Sequence, residues 1–285
     1  MTRNLSRAQL EDRAKAMRRD IVELCYRSPG HKAHLGGCLS AVEILCALYL
    51  DIMNIPEKSD DLAWEMRDRF ILSKGHAAFA LYAALHQAGI FSDTDMSRPI
   101  CGPDALPRRQ VTRDPSHGLE ATCGSLGIGL GFGCGLAIAA RRKQTGSHVY
   151  VLLGDGECDE GSVWESAAFA AHNHLSNLTV IVDANGLQLD GPTNKVLSCG
   201  KLSERWASFG FISTDLDGHD VIAVRDALRD ASTGKHSEAP HAIIAHTVKG
   251  KGVSFAENHV EWHDGVLTDE LYCRAMSELG REAVA

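Results

Sequence analysis

The chain has 285 residues, enough for one large α/β domain or two small ones with an ample buried core. Its composition, 44% hydrophobic and 23% charged, is that of a water-soluble enzyme. A net charge of −8 argues against a nucleic-acid surface, which needs clustered Lys and Arg.

The basic residues Arg13, Lys15, Arg18 and Arg19 are interleaved with acidic ones and read as a solvated helix face. The nine cysteines (25, 38, 46, 101, 123, 134, 158, 199 and 273) are odd in number and form no CxxC pair. A disulfide framework and a zinc site are therefore disfavoured, and a reducing cytoplasm is the expected location. The N-terminal stretch has no apolar core of the signal-peptide kind. The Gly-rich apolar run 126–140 is too short for a membrane helix, which needs about 20 residues.

Residues 5–27 read as a helix with Leu5, Ile21, Val22 and Leu24 on its apolar face. A second helix is expected over 40–53, with Ser40 as N-cap and Glu43 completing a capping box. Residues 70–72 look like a short strand running into S-K-G-H-A, followed by a helix to residue 88. Segment 92–118, rich in Pro, Arg and Asp, reads as a long surface loop of the functional kind.

Residues 124–142 read as a helix whose glycines 127, 131 and 135, and 129 and 133, recur every fourth position. Such rows allow close backbone approach. Two continuous apolar strands follow, 148–155 and 178–185, around a helix over 161–175. A strand over 211–216, a helix over 220–231, a strand over 241–246 and a helix over 268–281 complete the chain. Continuous apolar strands alternating with helices predict a doubly wound parallel sheet flanked by helices, all within one domain over 1–285.

The first long strand ends in Gly154-Asp155-Gly156 and the second in Asp183-Ala184-Asn185-Gly186-Leu187. Parallel neighbours end on the same sheet edge, where ligands bind, so Asp155 and Asn185 should lie side by side. A carboxylate, an amide oxygen and a nearby backbone carbonyl are hard ligands that suit Mg²⁺ or Ca²⁺, not zinc. Gly156 leaves room for a phosphate, and the helix after it adds the field of its N-terminus. A lone G-D-G is usually only a tight turn; the full pattern at this spacing is far more specific.

That pattern, G-D-G-x-x-x-E-G and then D-x-N-G-x-x-x-D-G, resembles the thiamine-diphosphate motif in its transketolase form. H-L-G-G-C-L-S-A-V-E-I-L (34–45), S-K-G-H-A (73–77), E-A-T-C-G-S-L-G (120–127), K-G-K-G-V-S-F-A-E-N (249–258) and E-W-H-D (261–264) also match the N-terminal half of transketolases. The resemblance implies a thiamine-diphosphate-binding fold of the diphosphate-binding type. It implies Mg²⁺ (with Ca²⁺ or Mn²⁺ able to substitute) on Asp155, Asn185 and the carbonyl of Leu187. It places Gly156 against the diphosphate, Gly124, Ser125 and Leu126 against the thiazolium, and His76 on the cofactor. Lys249 and His263 then approach the diphosphate and the reacting carbons, and His34 faces the substrate.

Neutral-range imidazoles suit a reaction that moves protons as a C–C bond breaks. Glu160 and Glu165 resemble members of a carboxylate network facing a partner; an acidic, solvated helix start is the equal alternative. His31 is the alternative to His34, and His219 reads as helix-entry structure. One departure stands out. The G-H-P histidine of the family is missing, the nearest match being Cys101-Gly102-Pro103, with His117 as a possible replacement.

The resemblance also implies a second domain type, whose glutamate grips the aminopyrimidine ring and which carries the substrate-phosphate arginines. A C-terminal transketolase-like partner subunit, in an α₂β₂ assembly, is the expected source, with a sugar phosphate as substrate and neither nucleic acid nor membrane as partner. The expected activity is two-carbon ketol transfer between ketose and aldose phosphates. The alternatives are a sulfonated or branched ketose phosphate, a variant forming dihydroxyacetone phosphate-type products, and a non-catalytic cofactor-binding subunit. No G-x-G-x-x-G occurs, which disfavours NAD.

Overall fold

The computed structural model describes residues 4–56, 61–198, 200–233 and 238–280. Cys199, the last residue of the expected 268–281 helix and both ends of the expected 1–285 domain lie outside the described residues.

The continuous apolar runs become one five-stranded sheet in which every neighbouring pair is parallel. Its strands are β1 (Arg69–Leu72), β2 (Val149–Gly154), β3 (Leu178–Ala184), β4 (Ile212–Asp217) and β5 (His241–His246), in spatial order β1-β2-β3-β5-β4. Alternate residues of a strand point to opposite faces, and here both faces are apolar. Tyr150, Leu152 and Ile181 join one core, whereas Val149, Val151, Leu153, Val180 and Val182 join the other. This double burial is why the strands read as unbroken hydrophobic runs.

The helices that build the layers are α1 (Arg7–Arg27), α2 (Leu35–Leu39), α3 (Val42–Ala47), α4 (Ala78–Gln87), α5 (Gly129–Lys143), α6 (Gly161–His172), α7 (Leu202–Ser208), α8 (Val221–Thr233) and α9 (Asp269–Glu278). Residues of α1, α3, α4 and α8 fill the first core; those of α5, α6 and α7 fill the second. The doubly wound α/β fold expected from the sequence is the fold observed.

Several local expectations change. Arg18 does not belong to a solvated face. It is buried, its guanidinium 2.7 Å from Glu43 and 2.9 Å from the Lys251 carbonyl. The expected 40–53 helix is broken: Ser40 closes α2, α3 follows, and Leu48–Ile52 winds as a π-helical turn. Ser40 is no N-cap, because its buried hydroxyl donates to Asp183 at 2.6 Å. Glu43 faces Arg18 and His219 instead of a helix start. Buried charges must be paired, and that demand outweighs a surface cap.

The segment 124–142 is helical only from Gly129, after Gly127 turns at φ +84°. A Cβ on Gly129 would stand 2.4 Å from Ser73, and one on Gly133 would stand 2.5 Å from Val151. That glycine row seats α5 against β1 and β2, while Gly131 and Gly135 face outward. Segment 92–118 is only partly a surface loop. Asp93–Ser97 is helical behind a Ser92–Asp95 capping box, and Ile100, Leu106 and Val111 are buried.

The described cysteines are all free. No helix among the described residues is long and apolar enough to cross a membrane.

Candidate active site

β1, β2 and β3 run in register and end on one edge. β1 leads into Ser73-Lys74-Gly75-His76, β2 into Asp155-Gly156, and β3 into Asn185-Gly186-Leu187. A cavity of about 390 Å³ opens at that edge, and Asp155, Asn185 and Leu187 all line it.

The Asp155 carboxylate accepts from the Gly156 N–H at 2.9 Å and the Gly186 N–H at 2.6 Å, which ties the two turns together. Burial and the neighbouring Asp183 push its carboxyl up to about 6, against the opposing pull of those two N–H groups. The Asn185 side-chain amide donates to Asp183 at 3.3 Å, which turns its oxygen away from that carboxylate. The Leu187 carbonyl accepts from Lys249 Nζ at 3.0 Å. Among the described residues no three His, Cys, Asp or Glu side chains gather into a metal site. What remains is a mixed oxygen set with one carboxylate, the kind that suits a hard cation sharing its shell with phosphate and water.

Sequence reasoning missed the hub beneath this edge. Asp183 is fully buried, with Lys74 Nζ at 2.5 Å and the hydroxyls of Ser40 and Thr247 also donating to it. Burial raises the Asp183 carboxyl, but Lys74 and the two hydroxyls overcome it and hold it below the usual range. In the sequence Asp183 showed only as the first residue of D-x-N-G, and Lys74 only as a member of S-K-G-H-A. Glu157 was missed as well. It accepts from the Ser73 hydroxyl at 2.5 Å, the Gly127 N–H at 2.8 Å and the Gly154 N–H at 3.1 Å. Its carboxylate clamps the Gly124–Gly127 turn onto the end of β2.

Three histidines converge on the same cavity. The His34, His76 and His263 ring centroids lie 5.2 to 5.6 Å apart. Burial holds all three below the usual imidazole range, His76 strongly, and His263 down to about 4 with help from Lys249. At neutral pH these rings are uncharged. Lys249 Nζ lies 2.9 Å from His263 Nδ1, so a lysine proton given to Nδ1 leaves the ring proton on Nε2. Lys249 is itself buried and has no carboxylate partner among the described residues. Burial and Lys74 push it down to about 8, against Asp183 and Asp155.

His34 and His263 are brought together by a two-residue antiparallel pairing, Lys32–Ala33 with Gly265–Val266, that the sequence did not disclose. Asp264 reinforces it, bonded to Lys32 at 3.0 Å and Arg109 at 3.1 Å. Gly75 brings the 121–124 segment close, since a Cβ there would stand 1.9 Å from the Cys123 carbonyl.

The remaining expected residues divide. Gly124, Leu126 and Gly156 line the cavity, whereas Ser125 and Glu160 are exposed and do not. Glu165 is exposed on α6. A 3-10 turn, Gly156–Asp159, separates Gly156 from α6, so the helix N-terminus does not sit on the glycine as expected. His31 stacks on Tyr26, outside the cavity, which leaves the place to His34. His219 lies between Glu43 and the Val248 N–H, the structural role expected for it. Neither Cys101-Gly102-Pro103 nor His117 reaches the cavity; the loop residue that does is Gln110.

The transketolase thiamine diphosphate binding domain matches residues 9–284. The chain belongs to the transketolase family. It is 41% identical to a subunit of the apulose-4-phosphate transketolase of Actinobacillus succinogenes, over 98% of this chain and 99% of that one. It is 38% identical to the 6-deoxy-6-sulfo-D-fructose transketolase subunit SqwG of Clostridium sp., over 87% of this chain and 89% of that one. The crystal structure of Campylobacter jejuni transketolase superposes with a TM-score of 0.85 at 25% identity, covering 98% of this chain. The chain spans only 44% of the length of that transketolase.

This transketolase-type chain thus carries a thiamine-diphosphate-binding domain, and its cavity fits the diphosphate end of that cofactor. Lys249 supplies a buried cation without a carboxylate partner among the described residues. Gly156 has no side chain in the way; a Cβ there would meet Gln188 at 2.6 Å.

Proposed function

We propose that the chain, with a partner subunit, performs two-carbon ketol transfer between a ketose and an aldose phosphate, using thiamine diphosphate and Mg²⁺. The observation that carries this reading is the cluster of three neutral histidines on the cavity that also holds Asp155, Asn185 and the Leu187 carbonyl.

In this reading Asp155, Asn185 and the Leu187 carbonyl hold the metal, for which Ca²⁺ or Mn²⁺ can stand in. Asn185, Gly156 and Lys249 hold the diphosphate, and Gly124, Ser125 and Leu126 face the thiazolium. Bound thiamine diphosphate supplies the electron sink for C–C cleavage. The chain's own part is proton handling and positioning. His263, with its proton on Nε2, donates to developing negative charge, and the uncharged His34 and His76 accept protons from substrate hydroxyls. Low polarity around the rings strengthens each of these contacts.

The aminopyrimidine glutamate and the phosphate-binding arginines come from a C-terminal transketolase-like subunit in an α₂β₂ assembly, and residues 1–285 act as one domain. Two observations support a partner. The two similar proteins at 41% and 38% identity are themselves named as transketolase subunits. Ile128 and Phe132 at α5 and Phe169 on α6 are exposed apolar side chains of the kind that mark interaction surfaces.

A second reading concerns the sugar. Gln110 is the loop side chain in the cavity, the G-H-P histidine of transketolases is missing from this loop, and these relatives are named for apulose-4-phosphate and 6-deoxy-6-sulfo-D-fructose. A modified ketose phosphate is therefore favoured over the common sugar phosphates.

Reconstitution tests the proposal. The purified chain alone should give no ketol transfer, and the two-subunit complex should give it with Mg²⁺ and thiamine diphosphate. Asp155→Ala should abolish metal-dependent cofactor retention in the complex. Activity of the lone chain refutes the shared site, unchanged retention refutes the metal assignment, and an inactive complex that retains cofactor returns the chain to a binding role.

A further inference from the structure

Segment 98–117 has two sides. One presents Gln110 to the catalytic cavity. The other closes a separate pocket of about 260 Å³, whose lining shares no residue with the cavity. Tyr82, Arg98, Arg108, Thr112, Arg113 and His117 supply its polar groups.

The three arginines differ from those around them. Arg67, Arg69 and Arg109 nearby each close on a carboxylate, at 2.5, 3.2 and 3.1 Å. Among the described residues the guanidinium groups of Arg98 and Arg113 have no carboxylate partner and no hydrogen bond, and Arg108 has one long contact, 3.4 Å to the Pro103 carbonyl. The one acid lining the pocket, Asp114, is already engaged by the Ser116 hydroxyl and His117 Nδ1, each at 2.6 Å. Three arginines without a carboxylate partner among the described residues thus line one pocket in a protein of net charge −8.

The floor adds an independent observation. Tyr82 is fully buried, and its hydroxyl has no hydrogen-bond partner of acceptable geometry, with the Arg108 main chain as a polar neighbour. A buried hydroxyl without a partner is costly, so one that lines a pocket reads as a ligand contact.

We propose that this pocket binds the phosphate group of a phosphate monoester, separately from the catalytic cavity. Guanidinium forks match the paired oxygens of phosphate and form its strongest hydrogen bonds. Arginine clusters are a recurrent means of phosphate recognition. The Thr112 and Tyr82 hydroxyls complete a polar shell. An occupant would grip Arg108, Thr112 and Arg113 on both sides of Arg109 and Gln110, steadying the part of the loop that enters the cavity.

The test uses the purified full chain with inorganic phosphate, at ionic strength matched with chloride. Thermal unfolding and the arginine Nε–H NMR signals are the readouts. A saturable rise in Tm is expected, with shifts in the Arg98, Arg108 and Arg113 signals. Arg98→Gln/Arg113→Gln should weaken phosphate binding by roughly tenfold or more, the value of a charge-assisted bond. Tyr82→Phe should also weaken it while leaving the unliganded Tm unchanged or higher, because the hydroxyl it loses has no partner. Lys249→Ala separates the two anion sites. Phosphate binding that survives Lys249→Ala supports the loop pocket. Binding lost in Lys249→Ala but kept in the arginine variant places the phosphate in the catalytic cavity and overturns the proposal, as does the absence of any saturable response. The outcome is independent of the cofactor reading, which concerns Asp155, Asn185 and Lys249.

Discussion

Gln110 illustrates how much a single side chain can decide. The sequence pointed to Cys101-Gly102-Pro103 and His117 as places to look for a missing histidine, and both lie outside the cavity. His117 spends its Nδ1 on Asp114 and sets its ring edge against Phe91. Gln110 has neither the charge nor the titration of a histidine, but it can both donate and accept a hydrogen bond. In the reconstituted complex, Gln110→Ala is expected to raise KM for the sugar roughly 3- to 10-fold, the worth of one neutral hydrogen bond, without changing thiamine diphosphate retention. Steady-state kinetics and cofactor titration check this. A change in retention with KM unmoved would put Gln110 on the cofactor side. Asp155, Asn185, His34, His76, Lys249 and His263 were legible because each sits in a short motif. Lys74, Asp183, Glu157 and Gln110 were less so, because their importance comes from what they touch across the fold.

At the scale of elements, glycine patterning was readable but its direction was not. A four-residue spacing puts glycines on one helix face; only packing shows which row is buried. Gly133 faces Val151, and Gly135 has open space around it. Gly133→Ala should therefore destabilise the chain by about 1–3 kcal/mol through overpacking. Gly135→Ala should leave stability unchanged or raise it by up to about 1 kcal/mol through helix propensity. Urea midpoints of the two variants provide the comparison, and equal effects would contradict the seating of α5 on the sheet. The break between α2 and α3 has the same lesson. Ser40 and Glu43 make a sound capping box on paper, yet Asp183 and Arg18 claim them. A buried ion pair that loses one partner costs about 3–5 kcal/mol, well above the ~1 kcal/mol of a cap.

For the whole molecule, burial of uncharged imidazoles sets the acid limit of stability. His148 is held between strands, bonded to the Thr179 hydroxyl at 2.8 Å, and burial with a contribution from His241 pushes it down to about 3. The unfolded chain titrates near 6.5. A folded pKa below the unfolded one means stability that is complete above about pH 6.5 and lost as pH falls toward 3, at about 1.4 kcal/mol per pH unit. His76 and His263 act in the same direction. Asp155, raised to about 6, acts oppositely between its folded value and the usual carboxylate range. Urea denaturation at pH 7.5 and pH 5.5 should show the lower midpoint at pH 5.5. His148→Gln should flatten the difference, and a stability independent of pH over that interval would contradict the buried-histidine account.

The sequence by itself determined the α/β class, the strand ends and most of the motif residues that meet at the cavity. These follow from local signals: unbroken apolar runs, turn glycines and short spacings that any parallel sheet converts into neighbours. Tertiary structure alone decided how the site is held. The pairing of Lys32–Ala33 with Gly265–Val266, the meeting of Ser40, Lys74 and Thr247 at Asp183 and the entry of Gln110 join residues far apart in the chain. Such contacts are fixed by burial and the pairing of desolvated charge, which depend on the assembled fold and leave no periodicity to read.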